Sequence, residues 1–302
     1  MTTRSLARSL PVVFGLTAGV VAVRHWWEGP CQHVRQVTPQ LPGSRGLLPT
    51  KVGPVGFRIR RRGEGTPVVL VHGWGGCADV TWWKVLQHLP APFLAVDLPG
   101  HGASQLEGCF SISRAADCVV DLVDALGFRD ALLVGYSLGG PVALEATHRA
   151  KDRFSGIVGL ATSAHWSFAR AQLAATLGPY LFGASSPVSK LSYRRRVQSC
   201  PDLACYEAWS LSAAPRRKIL LQASSDLRHF DARTWVSVLD RPTAWVITAK
   251  DKVMPPERQR ETAAMIGGPA FEIDSGHACS QVAAPQVASA LTAASGELGM
   301  SS

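Results

Sequence analysis

Cysteine is scarce, with seven in 302 residues and none in a C-x-x-C pair. That excludes a disulfide scaffold and a zinc site of the usual spacing. Charge is sparse too, at 18% of residues, so this composition does not dictate charge-driven disorder. Acidic residues are the scarcer sign, 22 Asp+Glu against 31 Lys+Arg, which leaves a formal net charge of +9. The imbalance points towards an anionic partner such as a membrane surface or nucleic acid. No nucleic-acid module is recognisable, and no internal repeat divides the chain. What remains is 46% hydrophobic sequence, long enough to bury a sizeable core in one large α/β domain or two smaller ones.

Apolar runs are short. The one at the amino end, Ser9 to Val23, falls below the about 20 residues that a spanning helix needs. Arg4 and Arg8 precede it, and Arg24, His25, Trp26 and Trp27 follow. A basic n-region with a short apolar h-region fits a secretory signal, although Val20-Val21-Ala22 is a poor cleavage site. The tryptophans suit a headgroup interface. Residues 1–27 are therefore read as an apolar head that is exported, membrane-held or docked on the body. In the last case the protein is cytoplasmic. Residues 28–54, rich in proline and glycine, read as a linker or an arm over the body.

From Phe57 the pattern alternates strand and helix. Phe57–Arg62 alternates apolar and basic residues, as an edge strand would. Pro67–His72, Phe93–Asp97, Ala131–Gly135, Gly156–Ala161, Thr243–Thr248 and Phe271–Ile273 read as buried strands. Helical spacing marks Val80–Leu89, Ser113–Leu126, Gly140–His148, Pro256–Met265 and Gln281–Ala293. Such alternation predicts an α/β fold with a mostly parallel central sheet flanked by helices. The core is expected over 55–164 and 241–297. Between them the cycle breaks, and residues 165–240 read as an inserted, largely helical cap.

The most informative residues are Gly135-Tyr136-Ser137-Leu138-Gly139, a G-x-S-x-G between a buried strand and a helix. A serine there stands proud of the sheet on a tight turn, and only small residues two positions away avoid a clash. The hydroxyl needs a base to take its proton and a third group to orient that base. Asp251 follows the strand Thr243–Thr248, and His277 follows Phe271–Ile273, in the order Ser, Asp, His. Both lie past the carboxyl end of a strand, where open α/β sheets place their sites. Asp274 is the rival acid. The loop after Gly156–Ala161 carries Thr162, Ser163 and His165 but no carboxylate.

Two glycine loops adjoin these residues. His72-Gly73-Trp74-Gly75-Gly76 can turn a backbone N–H towards a reacting carbonyl, so Trp74 and Leu138 are the candidate oxyanion-hole amides, with Gly75 the alternative to Trp74. His72 is expected to brace the loop. Asp97 and His101, in Asp97-Leu98-Pro99-Gly100-His101-Gly102-Ala103-Ser104, are expected to fix the following turn.

Together these motifs resemble the α/β-hydrolase superfamily over residues 55 to 295. The resemblance implies a serine hydrolase cleaving a carboxylic ester, lipid-like in one version, through a Ser137–Asp251–His277 triad and an acyl-enzyme. It implies no metal and no organic cofactor. Carbon–carbon bond hydrolysis or perhydrolysis on the same triad is the alternative chemistry, and a non-catalytic ligand receptor the alternative class. A serine at the elbow argues against the epoxide hydrolases and dehalogenases, which use aspartate there. The expected partner is a small-molecule ester or acyl substrate. Three basic clusters, Arg58/Arg60/Arg61/Arg62, Arg194-Arg195-Arg196 and Arg216-Arg217-Lys218, read either as a solvated face or as a grip on anionic lipid or substrate. Trp166, Phe168, Leu173, Tyr180 and Phe182 suit an acyl-lined pocket or the cap's own core. No pattern specifies an oligomer.

Overall fold

The computed structural model describes residues 40–166 and 215–299. The expected apolar head, Arg194-Arg195-Arg196 and residues 168–182 of the expected cap lie outside them.

Eight strands form one sheet. They are β1 (Ser44–Thr50), β2 (Gly53–Arg60), β3 (Val68–Val71), β4 (Phe93–Val96), β5 (Ala131–Tyr136), β6 (Phe154–Leu160), β7 (Thr243–Thr248) and β8 (Ala270–Ile273). Their spatial order is β1-β2-β4-β3-β5-β6-β7-β8. The pairs β1/β2 and β2/β4 are antiparallel and the rest parallel, as the alternation predicted. The short runs Val-Val-Leu-Val of β3 and Phe-Leu-Ala-Val of β4 are buried along their whole length, because helices cover both faces.

One face carries α3 (Ile112–Leu126), α4 (Gly139–Arg149), α5 (Arg217–His229) and α6 (Pro256–Ile266). Val119, Leu122, Val142, Leu227 and Ala263 pack there against Val69, Leu133 and Ile157 of the sheet. The other face carries α1 (Ala78–Trp82), α2 (Val85–His88) and α8 (Ala284–Glu297), with α7 (Cys279–Val282) leading into α8. Trp82, Leu86, Val287 and Leu291 pack there against Leu70, Val134 and Val246. The helix expected over Val80–Leu89 is thus two short ones, and that over Gln281–Ala293 starts at Ala284 after a break. In α3, Ser111 caps the first turn by accepting from Arg114 N at 3.2 Å, and Gly127 closes the last at φ 64°.

Two expectations need correction. Residues 28–54 are not all linker, since Ser44–Thr50 forms the edge strand and pairs along β2 from Ser44↔Ile59 to Thr50↔Gly53. Its glycine is what makes the fit. A Cβ on Gly46 would sit 2.3 Å from the Phe57 ring, which lies across that position. The strand from Phe57 is therefore not at the edge.

The cluster at Arg58–Arg62 is not one solvated face either. Arg58 is buried and grips Asp79 through both Nε (2.5 Å) and a terminal nitrogen (3.0 Å), with Arg45 joining the same carboxylate at 3.1 Å. Arg60 donates to the carbonyls of Leu89 and Ala91 and lies over the Phe93 ring. Both therefore hold the antiparallel end of the sheet to its neighbours.

Residues 164–166 and 230–232 run side by side. His165 and Asp231 form an antiparallel bridge, Ala232 N donates to Ala164 O at 2.8 Å, and Trp166 N donates to Phe230 O at 3.2 Å. Helix α5 is tied to the core by three further bonds. Trp74 Nε1 donates to Leu220 O (3.2 Å), Phe110 N to Gln222 Oε1 (3.0 Å) and Ile112 N to Asp226 Oδ2 (2.5 Å). Among the described residues no helix is long and apolar enough to cross a membrane.

Candidate active site

Strand β5 runs straight into the elbow. Ser137 has φ 53°, a left-handed conformation that costs a non-glycine residue about 1–3 kcal/mol. The flanking glycines are sterically required. A Cβ on Gly135 would lie 2.4 Å from Gly139 O, and one on Gly139 would lie 2.4 Å from Val71 O. Bonds on both sides hold the turn: Ser137 N donates to Leu160 O (3.0 Å), and Thr162 Oγ1 donates to Ser137 O (2.8 Å). Leu138 is already helical, so α4 opens with its amino end at the serine.

Three loops from three strands converge here. Ser137 Oγ lies 2.9 Å from His277 Nε2, and His277 Nδ1 lies 2.8 Å from Asp251 Oδ2. An ionised carboxylate only accepts, so Nδ1 carries the imidazole proton and Nε2 is left to accept from the serine hydroxyl. The Asp251 side chain has no solvent exposure. Its burial is compensated by donors: Val253 N (2.8 Å) and Met254 N (2.9 Å) on Oδ1, and Thr248 Oγ1 (2.8 Å) on Oδ2 beside His277. Asp274, the rival acid, is exposed and paired instead with Lys250 at 2.7 Å. Of the two candidate carboxylates, Asp251 and not Asp274 lies against His277.

The glycine loops hold the other side. His72 is fully buried and neutral, pushed down to about 4 by desolvation, with Nδ1 bonded to Gly73 O and Nε2 accepting from Leu98 N at 2.9 Å. It braces the loop, as expected. Asp97 accepts from Ala78 N (2.7 Å) and Ala103 N (2.9 Å), and His101 packs 5.2 Å from His72, so both fix the turn. Gly73 comes so close to the elbow that its Cβ would stand 3.1 Å from that of Ser137. Cys279 is buried, and desolvation together with the Asp251 charge pushes its thiol up to about 12. A thiol so placed is no nucleophile.

Other residues hold the site without having been singled out in the sequence. Tyr136, the first of the two variable residues of the pentapeptide, donates its hydroxyl to His277 O at 2.5 Å. Gln281, buried on α7, donates to Val80 O and Thr81 O and accepts from Trp83 Nε1, which clamps the histidine loop to α1. Gln259 does the same for the Asp251 loop. A single serine motif gives no sign of such braces. Among the described residues no group of three His, Cys, Asp or Glu side chains could hold a metal ion.

The family model for the alpha/beta hydrolase fold matches residues 66–279. The chain belongs to the α/β-hydrolase superfamily. It is an α/β-hydrolase enzyme, and several of its curated relatives are named for ester hydrolysis, while another, from Pseudomonas putida, is named as the acetyltransferase component of an acetoin-cleaving system. One is the pimeloyl-[acyl-carrier protein] methyl ester esterase of Chromobacterium violaceum, 31% identical over 209 residues, covering 65% of this chain and 80% of that protein. The protein of the same name from Methylococcus capsulatus is 27% identical over 224 residues, covering 67% of this chain and 83% of that one. Among solved structures, a hydrolase from Pseudomonas aeruginosa superposes with a TM-score of 0.67 at 25% identity, over 83% of this hydrolase and 99% of that chain.

Proposed function

We propose that this α/β hydrolase cleaves carboxylic esters through an acyl-enzyme on Ser137. The observation that carries the reading is the unbroken line from Ser137 Oγ through His277 to the buried Asp251, at 2.9 and 2.8 Å. His277 takes the serine proton through Nε2 as Oγ attacks the ester carbonyl, and the imidazolium is stabilised by Asp251. The alcohol leaves with that proton. Water, deprotonated by the same nitrogen, then releases the acid. The oxyanion would be held by the N–H groups of Trp74 and Leu138, neither of which donates to an acceptor among the described residues. Each such donor is worth ~3 kcal/mol in the transition state.

Charge on α5 supports a narrower substrate class. Exposed Arg216, Arg217 and Lys218 open helix α5, whose Leu220 carbonyl receives the Trp74 indole and whose Ile219 packs over Gly100. These exposed cations open the helix that packs on the Trp74 loop and would favour an acyl group that carries negative charge. Residues 165–240 would form the cap over it, stitched at its base by the His165–Asp231 bridge. The relatives named for the methyl ester of a carrier-bound acyl chain agree with a small alcohol leaving group.

A fluorophosphonate probe should label the wild-type enzyme and not Ser137→Ala. Turnover of p-nitrophenyl esters should exceed that of a diketone substrate. Folded wild-type protein that neither takes the label nor turns over any ester would overturn the reading.

A further inference from the structure

We propose that Thr248 and Gln259 are positioning residues of the triad, acting on His277 through Asp251. The proposal rests on the serine-hydrolase reading and deepens it. Thr248 ends β7 and Gln259 lies one turn into α6, and both are completely buried. A buried amide costs more than an apolar side chain of the same volume unless every polar atom is satisfied. Gln259 satisfies all of them on the Asp251 loop. Its Oε1 accepts from Thr248 N (3.0 Å), while Nε2 donates to Thr248 Oγ1 (2.8 Å) and Met254 O (2.8 Å), 3.5 Å from Asp251 Oδ2.

The proton directions are then determined. Thr248 N–H is a donor, so the Gln259 oxygen must face it and the amide cannot be flipped. Thr248 Oγ1 already receives an N–H from Gln259, which leaves its one proton for Asp251 Oδ2 at 2.8 Å. Gln259 N–H therefore donates to Thr248, whose O–H, polarised by that bond, donates to Asp251 Oδ2, the oxygen that also accepts from His277 N–H. Oδ2, the oxygen that holds the imidazole, shares its charge between Thr248 and His277. The hydroxyl fixes the carboxylate plane and limits how strongly it stabilises the imidazolium.

The groups facing this pair are few. Ser137 and Tyr136 come from the β5 elbow, and Cys279 from α7 stays a thiol. The exposed Lys250–Asp274 pair and exposed Lys252 flank the loop. None of them supplies a donor to Oδ2 in place of Thr248.

The test compares Thr248→Val, which keeps shape and removes the hydroxyl, with Thr248→Ser, which keeps the hydroxyl. Two readouts are taken: the pH profile of kcat and kcat/KM with a short p-nitrophenyl ester, and the NMR titration of His277 in enzyme without substrate. With less competition for Oδ2, Thr248→Val should move the His277 titration and the acid limb of kcat/KM to higher pH. Its kcat should fall, by about tenfold, at unchanged KM, because the carboxylate plane that orients the imidazole is no longer held by the hydroxyl. Thr248→Ser should return both to near wild type. Gln259→Met should shift His277 the same way by less, and it alone decides if Thr248→Val does not fold. A His277 titration unmoved in the folded variants, whatever their melting temperature, overturns the proposal and leaves a purely structural brace. The titration needs no turnover, so an enzyme inactive on esters would refute the serine-hydrolase reading separately.

Discussion

Replacing Asp251 by asparagine should disable the enzyme by reversing a tautomer, and the surroundings dictate which way the amide must turn. Val253 N and Met254 N both donate to Oδ1, at 2.8 and 2.9 Å. Two backbone N–H groups cannot face an NH2, so the asparagine oxygen must occupy that position. Its nitrogen then replaces Oδ2, facing His277 Nδ1 from 2.8 Å and Thr248 Oγ1 from 2.8 Å. His277 must accept there, which moves its proton to Nε2, where it meets Ser137 as a donor and cannot take the serine proton. The expected loss in kcat is ~10⁴-fold, or ~5.5 kcal/mol, the size associated with a wrong triad tautomer. A second signature accompanies it. Thr248 can accept from the new amide, but its own proton then lacks a partner, which costs about 1–3 kcal/mol of stability. Steady-state hydrolysis of a p-nitrophenyl ester and a thermal melt of the same preparation read both effects. A folded Asp251→Asn protein with less than a tenfold loss of kcat would refute the tautomer argument.

Stability should depend on pH through the two histidines under the site. Burial depresses His72 to about 4 and His101 to about 3 from an ordinary 6.5, so the folded state resists protonation where the unfolded chain accepts it. Their contribution is complete above pH 6.5 and is lost as pH falls towards those values, by about 1.4 kcal/mol per unit for each group. Urea midpoints measured from pH 7.5 downward should therefore fall, and His101→Gln should flatten the slope; a level wild-type profile down to pH 4.5 contradicts this. Gly139→Ala should be severely destabilising, because its Cβ would meet two backbone oxygens, Val71 O at 2.4 Å and His72 O at 2.8 Å, which cannot swing aside. Gly267→Ala, at φ 79° with open space around it, should cost only about 1–2 kcal/mol by denaturant titration, and equal losses for the two variants would discredit the clash.

The parts of this molecule legible from sequence are those in which one local constraint writes several adjacent residues. A fully buried strand must be apolar throughout, and an elbow at φ 53° must have glycine two positions either side, so β5 and Ser137 announce themselves together. Asp251 and His277 are legible for a different reason. Each sits in the first turns after a strand that is itself readable, and chain order then pairs them. The edge strand β1 obeys neither rule. It is half-exposed, it tolerates Pro49 because one side of it makes no ladder, and its glycine serves the ring of Phe57 on the next strand. Composition therefore makes it look like linker. Arg58 deceives in the opposite direction, since an arginine among arginines reads as solvated until Asp79, twenty-one positions on, closes on it.

Gln259 is the limiting case. Its side chain lies on the buried face of α6 with Thr262 and Ala263, where helical periodicity alone would place an apolar residue. In the pattern it counts only as a flaw in an amphipathic stripe. Its reason lies eleven residues back, in the hydroxyl of Thr248, and the two are related only because β7, the Asp251 loop and α6 fold back on one another. Spacing within a helix or strand reports contacts along that element. A polar network that joins the end of a strand to the side of the next helix has no period to report. What does remain in the sequence is the local misfit itself: a polar residue where packing asks for an apolar one, close in the chain to a titratable residue of the site. Where burial would penalise such a misfit, a bond must compensate it, and in this hydrolase the bond reaches the carboxylate that orients the histidine.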